Sequence, residues 1–227
     1  MPSKPHSYFD NYADLADDFC LFDDFFMTVC FDNDPVFTEQ ILRVIMNNND
    51  LRVLEARAQV DLKNLIGRSV RLDVKAKDAE GHPINIEIQR DSSEAIPQRA
   101  RYHSSMLDTV TLQKQQDFKD LPECYVIFIT EHDVLKKNLP IYHIDRVIKE
   151  TADYFTDGSH IIYVNGENRD NTSLGCLMHD FFCTKPEKIY YNGIAEKINY
   201  YKQTKEGHKK MASKVEKISA EVRGEPS

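Results

Sequence analysis

The stretch that decides the fold covers residues 69–90 and reads SVRLDVKAKDAEGHPINIEIQR. Apolar and polar side chains alternate through two runs, which flank a cluster that contains Gly81 and Pro83. A side-chain period of two is typical of half-buried strands, and glycine with proline favours a turn. The pattern therefore predicts a β-hairpin. In its first strand, the apolar side chains expected on one face are Val70, Leu72 and Val74.

The register of this hairpin would bring two acidic side chains together. Folding that is symmetric about Glu80 places Asp73 opposite Glu87. Opposed side chains have Cβ atoms roughly 4.5–5.5 Å apart, and opposed like charges destabilise a sheet. A divalent cation with oxygen ligands would remove this repulsion, but an ordinary amphipathic hairpin with a solvated polar face has the same pattern. The alternation alone leaves both interpretations open.

Composition indicates an ordinary folded protein. The chain has 227 residues, of which 41% are hydrophobic and 29% are charged, which suits one sizeable domain or a core with an appendage. No apolar run approaches the roughly 20 residues that span a bilayer, and the N-terminus lacks an apolar signal core. The five cysteines form no C-x-x-C pair. We expect reduced thiols, no membrane partner and a cytoplasmic location.

The net charge of −8 is unevenly distributed. Residues 1–50 contain ten acids and two bases, and the other 177 residues contain 27 of each. The acidity is therefore confined to the N-terminal segment, and a nucleic-acid partner is not excluded. The chain contains no H-E-x-x-H, G-x-x-x-x-G-K-[ST], G-x-G-x-x-G or G-x-S-x-G motif, so histidine-ligated metalloenzymes, NTPases, dinucleotide enzymes and serine hydrolases have no motif support.

Further elements are predicted on either side of the hairpin. Asp34 and Pro35 suit the start of a helix, and the run CYVIFIT suits a central strand that is covered on both faces. The predicted elements are a helix over 35–46, a strand over 51–60, a helix over 92–112, strands over 124–130 and 160–164, a helix over 174–182, and one basic helix over 194–220. The basic helix fits either a solvated face or a DNA-contacting arm.

The hairpin and its surroundings resemble the PD-(D/E)XK nuclease superfamily, and most closely the PD-(D/E)XK nuclease family transposases, also called recombination-promoting nucleases. The matching residues of the hairpin are Asp73, Gly81, Ile86, Glu87 and Gln89. The resemblance continues through a D-x-x-F pattern at 23–26, Arg99, Tyr102, the strands at 125–130 and 161–165, and the basic end at 205–211. It covers most of the chain, with one departure: the superfamily's usual lysine is Gln89.

The resemblance implies an α/β fold with a restriction-endonuclease-like αβββαβ core and helical additions at both ends. Together with the charge distribution, it predicts an acidic segment at 1–34, a nuclease-like domain at 35–192 and a basic helix at 193–227. It also implies a Mg²⁺-dependent DNA endonuclease of the transposase type, with Mn²⁺ as a substitute. Asp73, Glu87 and the main-chain carbonyl of Ile88 would bind the metal, and Gln89 would orient water.

Three residues outside the hairpin have weaker expected roles. By resemblance, Glu39 is a fourth candidate metal ligand, although a solvated surface glutamate has the same sequence signature. Arg99 and Tyr102 share a helix face, which fits either support of the phosphate or packing on the sheet. The alternative function is a catalytically inactive DNA-binding or protein-interaction module that retains the nuclease fold. Nothing in the sequence decides the oligomeric state, and a homodimer is compatible with it.

Overall fold

The computed structural model describes residues 17–64 and 66–223, with the side chains of the last helix described as far as Lys214. The first sixteen residues of the acidic segment lie outside this part of the chain. The helices are α1 (Asp24–Phe31), α2 (Pro35–Ile45), α3 (Pro97–Thr111), α4 (Ser173–Phe182), α5 (Asn192–Gln203) and α6 (Lys205–Arg223). The strands are β1 (Val53–Leu62), β2 (Val70–Asp78), β3 (Pro83–Gln89), β4 (Cys124–Thr130), β5 (Ile141–Ile144) and β6 (Ser159–Asn165).

The six strands form one mixed sheet in the order β1-β2-β3-β4-β6-β5. The first three strands are antiparallel, and β4 and β6 continue the sheet in parallel with β3. Strand β5 closes the far edge, antiparallel to β6. The order α2, β1, β2, β3, α3, β4 is the αβββαβ core, and helices are added at both ends. The predicted fold class is confirmed.

The sheet separates two hydrophobic clusters. The α3-side cluster packs α3 against one face of the sheet, and the larger cluster packs α1, α2, α4, α5 and α6 against the other. Strand β4 contributes Val126 and Phe128 to the α3-side cluster and Ile127 and Ile129 to the larger one. All four side chains are fully buried, which confirms the prediction of a central strand covered on both faces.

The hairpin has the predicted register but not the predicted faces. Lys75 pairs with Asn85, and Val74 pairs with Ile86, as folding about Glu80 requires. However, Leu72 packs in the α3-side cluster, whereas Val74 packs in the larger cluster. The prediction that these two side chains share a face is therefore wrong. Asp73 lies at the change of face, next to the position where β1 contains Gln59 with a left-handed φ of 54°.

Helix starts follow local chemistry. The Asp34 carboxylate accepts a hydrogen bond from the backbone N–H of Phe37 at 2.8 Å, and a proline occupies the first turn of α2. Helix α3 begins at Pro97, five residues later than predicted, because residues 92–94 form a separate 3₁₀ turn. Proline lacks an N–H, so the first helical turn is where it fits best. Among the described helices, none is long and apolar enough to cross a membrane.

The C-terminal region forms two helices where one was predicted. Helix α5 ends at Gln203, and the Thr204 hydroxyl accepts a hydrogen bond from the N–H of Gly207 at 2.9 Å, which starts α6. Two basic side chains of these helices form ion pairs with the acidic segment: Lys197 pairs with Asp34 at 2.6 Å and Lys214 pairs with Asp32 at 2.7 Å. Both ends of the described chain therefore pack into the larger cluster.

Candidate metal centre

Asp73 and Glu87 lie together where strands β2 and β3 stop pairing. The ladder between these strands ends at Val74 and Ile86, and side chains bridge the gap beyond it. The Asp73 carboxylate Oδ2 accepts a hydrogen bond from the Ile88 N–H at 2.9 Å, and Glu87 Oε1 accepts one from the Asp73 N–H at 3.3 Å. Asp73 is 9% exposed and Glu87 is fully buried. The two carboxylates are thus held side by side in a largely dry site.

Gln89 and Ile88 complete the edge of β3 that faces Asp73. The Gln89 amide donates a hydrogen bond from Nε2 to Asp73 Oδ2 at 3.1 Å. Both hydrogen bonds described for this carboxylate therefore go to the same oxygen. In an extended strand, the N–H and the C=O of one residue point to the same side. The Ile88 N–H points to Asp73, so we expect the Ile88 carbonyl on this side as well.

Burial and mutual repulsion set the electrostatics of the pair. The pKa of Asp73 is raised to about 7, first by burial and then by the negative charge of Glu87. The charge of Asp24, in the first turn of α1, acts in the same direction, and the hydrogen bond from Ile88 and the charge of Arg99 act against it. A site of this kind favours the arrival of positive charge, because a cation relieves both the repulsion and the cost of burial.

Arg99 supplies the nearest positive charge. Its guanidinium NH2 lies 2.9 Å from Glu87 Oε2, and NH1 lies 3.3 Å from the exposed carboxylate of Glu94. Arg99 comes from α3, which packs on the same side of the sheet as Glu87. The structure therefore brings Arg99 together with the acid pair.

Tyr102 lies on the same helix face but contacts a loop. Its hydroxyl donates to the main-chain carbonyl of Arg68 at 2.5 Å and accepts from the Asn64 amide at 3.3 Å. Both partners belong to the connection between β1 and β2, which leads into Asp73. Tyr102 thus fastens this connection to α3, and it has no described hydrogen bond to either carboxylate.

Glu39 is separated from the acid pair. Its carboxylate pairs with Arg43 at 2.7 Å and Arg52 at 3.0 Å, and it accepts from the Val53 N–H at 3.0 Å. Val53 begins β1, five residues before the position that pairs with Val74, which is roughly 17 Å along the strand. The structure does not bring Glu39 to the centre, because the middle of α2 meets the start of β1, which pairs with the turn end of β2. We leave Glu39 out of the proposed site.

Sequence analysis missed two buried polar residues beside Glu87. Asn85 is fully buried, and its Nδ2 donates to Glu87 Oε1 at 3.0 Å. His103 is 3% exposed, and its Nδ1 lies 3.4 Å from the same oxygen. The alternation of β3 places Asn85 on the face of Glu87, and helical spacing places His103 one turn after Arg99. The alternation along β3 and the four-residue spacing along α3 were therefore the sequence signals that could have identified Asn85 and His103.

A second group of ligand-type side chains occupies the hairpin turn. Asp78, Glu80 and His82 place one possible ligand atom each within 4.8 Å of one another. Asp78 is buried and already bonded to both the ring and the backbone N–H of His82. The turn lies at the opposite end of β2 from Asp73. Any experiment on metal binding must therefore distinguish these two positions.

Comparison with known proteins identifies one family whose model matches the chain. No curated protein and no solved structure matches the chain at a significant level. The model of the PD-(D/E)XK nuclease family transposases matches residues 38–173, which is more than half of the chain. The matched segment includes β1 to β6 and α3, and with them both carboxylates of the pair. On this match, together with the observed αβββαβ core, the chain belongs to the PD-(D/E)XK nuclease family transposases.

Proposed function

We propose that this protein is a metal-dependent endonuclease that hydrolyses phosphodiester bonds in DNA, of the transposase or recombination-promoting type. The observation that carries the proposal is the buried contact between Asp73 and Glu87 at the end of the β2–β3 ladder. Opposed buried carboxylates are costly unless a cation accompanies them. The match to a nuclease family supports the interpretation of this acid pair as the ligands of a catalytic metal ion.

The donor set suits Mg²⁺, with Mn²⁺ as a substitute. Two carboxylates and the main-chain carbonyl of Ile88 are hard oxygen ligands, and such cations keep several waters besides a few protein oxygens. Asp73 and Glu87 would hold the ion. When bound, a divalent metal lowers the pKa of a coordinated water and polarises the phosphoryl oxygen.

Gln89 and Arg99 would share the work of the lysine that the superfamily usually has. The Gln89 amide carries no charge, but it both donates and accepts hydrogen bonds, and it already contacts the Asp73 carboxylate. It can therefore orient a water molecule beside Asp73. Arg99 keeps a permanent positive charge 2.9 Å from Glu87, where a phosphate oxygen could replace the carboxylate as its partner. Tyr102 would support the site by holding the loop that precedes Asp73.

The first test is plasmid cleavage with Mg²⁺ by purified protein and by the Asp73→Asn and Glu87→Gln variants. We expect nicking or linearisation by the unaltered protein and at least a hundredfold loss in each variant, because both changes remove a carboxylate ligand. Asp78→Asn is the matched control, since Asp78 is a buried aspartate on the same strand but lies at the turn. It should retain cleavage.

Calorimetric titration with Mn²⁺ separates metal binding from chemistry. Asp73→Ala should abolish binding with the circular dichroism spectrum unchanged, and Asp78→Asn should leave binding intact. Binding that survives in Asp73→Ala and disappears in Asp78→Asn would assign the ion to the turn and contradict the proposal. Metal binding without cleavage of duplex or single-stranded DNA would favour the alternative, a DNA-binding or interaction module that has kept the nuclease fold.

A further inference from the structure

Two buried polar side chains lie behind Glu87 without any role in the proposed ligand set. Asn85 precedes Glu87 by two positions on β3, and His103 projects from α3, one turn after Arg99. Asn85 is fully buried and His103 is 3% exposed. Burying polar groups costs free energy unless they are hydrogen-bonded, so their contacts should explain why they are there.

The contacts form a chain that ends on Glu87. Asn85 Nδ2 lies 3.0 Å from Glu87 Oε1 and also 3.0 Å from His103 Nδ1. An amide nitrogen has two hydrogens, so it can donate one to the carboxylate and the other to the ring. His103 Nδ1 is then an acceptor, and the ring proton belongs on Nε2. Nδ1 also lies 3.4 Å from Glu87 Oε1, so the two hydrogens of Asn85 Nδ2 offset the repulsion between these two acceptors.

The opposite orientation of the Asn85 amide is unfavourable. It would place the carbonyl oxygen Oδ1 against the Glu87 carboxylate, and two acceptors repel each other. In the observed orientation Oδ1 is buried and, within the described part of the chain, has no hydrogen-bond partner. An unpaired buried acceptor costs roughly 1–3 kcal/mol. The two bonds from Nδ2 must therefore outweigh this cost, which indicates that they are what fixes the side chain.

We propose that Asn85 and His103 are positioning residues that hold the Glu87 carboxylate in one rotational state. Oε1 is fixed by Asn85 and the N–H of Asp73, and this turns Oε2 towards Arg99. The inference rests on the proposed function to the extent that Glu87 is a metal ligand. Partners that orient a ligand from outside the coordination shell typically change metal affinity or activity by about 10–100-fold when they are removed.

The test uses Asn85→Leu, which keeps the branching at Cγ and removes both donors, and His103→Phe, which keeps an aromatic ring beside Phe128. We expect Mn²⁺ affinity measured by calorimetry to fall by about 10–100-fold in each variant. For cleavage, we expect kcat to fall and KM for DNA to stay constant, because both side chains are buried. The matched control is Asn165→Leu, at the end of β6, where a 3% exposed amide donates to the Leu139 carbonyl.

A spectroscopic measurement needs no metal and no activity. In protein with ¹⁵N-labelled histidine, the His103 ring should show an unprotonated Nδ1 that accepts a hydrogen bond and a protonated Nε2. This signature should be lost in Asn85→Leu and kept in Asn165→Leu. A His103 ring with its proton on Nδ1 would overturn the inference, and so would unaltered Mn²⁺ affinity in folded Asn85→Leu.

The outcomes also separate this inference from the proposed function. If unaltered protein binds no Mn²⁺, the proposed function fails, and the His103 tautomer alone decides whether Asn85 orients Glu87. If unaltered protein binds Mn²⁺ and both variants bind it equally well, the metal site stands and the positioning role falls. If Asn85→Leu does not fold, His103→Phe and the tautomer of the unaltered protein give the decision.

Discussion

At the scale of single residues, Gln89 is the clearest departure from the superfamily pattern. It lies two positions after Glu87, where the superfamily usually has lysine, and its amide donates to Asp73 Oδ2 at 3.1 Å. An amide can orient water at this position but cannot stabilise developing negative charge as an ammonium group does. The usual lysine can both orient water and stabilise negative charge, whereas Gln89 can do only the first.

Substitution of Gln89 tests this separation. Gln89→Ala should reduce plasmid cleavage by about 10–100-fold, the range expected when a residue that orients catalytic groups is lost. Gln89→Lys should retain part of the activity, because the ammonium group has similar reach and restores the charge. Steady-state cleavage rates with Mg²⁺ measure both effects. Equal and complete loss in the two variants would contradict a role in orienting water.

Asp73 should make the stability of the metal-free protein depend on pH. Its folded-state pKa of about 7 is above the ordinary value of 3.8, so the folded state binds this proton more tightly than the unfolded state. The contribution of this group to the free energy of unfolding is therefore largest below about pH 4. It falls as the pH rises from about 4 to about 7, by roughly 4 kcal/mol at most. Urea unfolding across this range should show the loss, and Asp73→Asn should remove most of it. An equally steep pH profile in Asp73→Asn would assign the effect to other groups.

The alternation in residues 69–90 predicted the central contact of the site, because the register of a hairpin about a Gly/Pro turn is a local property. The same alternation pointed to Asn85, but a neutral amide does not stand out among polar residues. The position of Glu39, in contrast, could not be predicted from the sequence. Its sequence position gives the helix but not the end of the hairpin that this helix meets, and that end depends on packing between α2 and β1.

At the scale of elements, the site lies where β2 stops pairing with β3 while its pairing with β1 continues. Strand β2 pairs with β1 from Val70 to Asp78, but its ladder with β3 begins only at Val74. The strands separate beyond that residue, and side chains occupy the opening. Sequence patterns predict strand positions well here, yet they did not predict that Leu72 and Val74 pack in different clusters. That change lies beside Gln59, whose left-handed backbone belongs to the neighbouring strand.

Helix α3 contributes a positive charge beside Glu87 through Arg99. The guanidinium contacts Glu87 Oε2, so in the proposed site it would compete with a metal for this oxygen. Arg99→Gln should therefore leave Mn²⁺ affinity equal or higher, while cleavage falls by roughly tenfold or more, the equivalent of a lost charge-assisted hydrogen bond. Calorimetry and cleavage rates measure the two effects.

Glu94→Gln is the matched control for that experiment, because Glu94 is the exposed second partner of Arg99. It should change neither quantity by more than about twofold, since exposed ion pairs contribute little. A parallel fall of metal affinity and cleavage in Arg99→Gln would indicate that Arg99 supports the carboxylates rather than the phosphate.

At the scale of the whole molecule, Lys202 joins three distant parts of the chain. It is 3% exposed, and its ammonium group donates to the main-chain carbonyls of Asp17, Phe19 and Thr184 at 2.6–3.0 Å. Burial lowers the pKa of this lysine. A buried cation with three carbonyl partners fixes the position of the N-terminal segment against α5.

Lys202→Met should destabilise the protein by about 2–4 kcal/mol, because three buried carbonyls lose their donor. Thermal or urea unfolding measures the loss. Lys210→Met is the control, since Lys210 lies on the exposed side of α6 against Glu206, and we expect no comparable change. A Lys202→Met variant as stable as the unaltered protein would show that the carbonyls find other donors.

Both ends of the described part of the chain contribute to the larger cluster, and this has a consequence for synthesis on the ribosome. Tyr201 donates to the Val29 carbonyl across 172 positions of sequence, and Met211 belongs to the same cluster as Leu21. The phenylalanine-rich face of α1 therefore has no complete cover until the last helices have been translated. The α3-side cluster, which draws on residues from Val60 to Tyr163, can close earlier. A nascent chain that waits with exposed aromatic surface is prone to aggregation, so newly made protein should depend on chaperones until translation has passed α6.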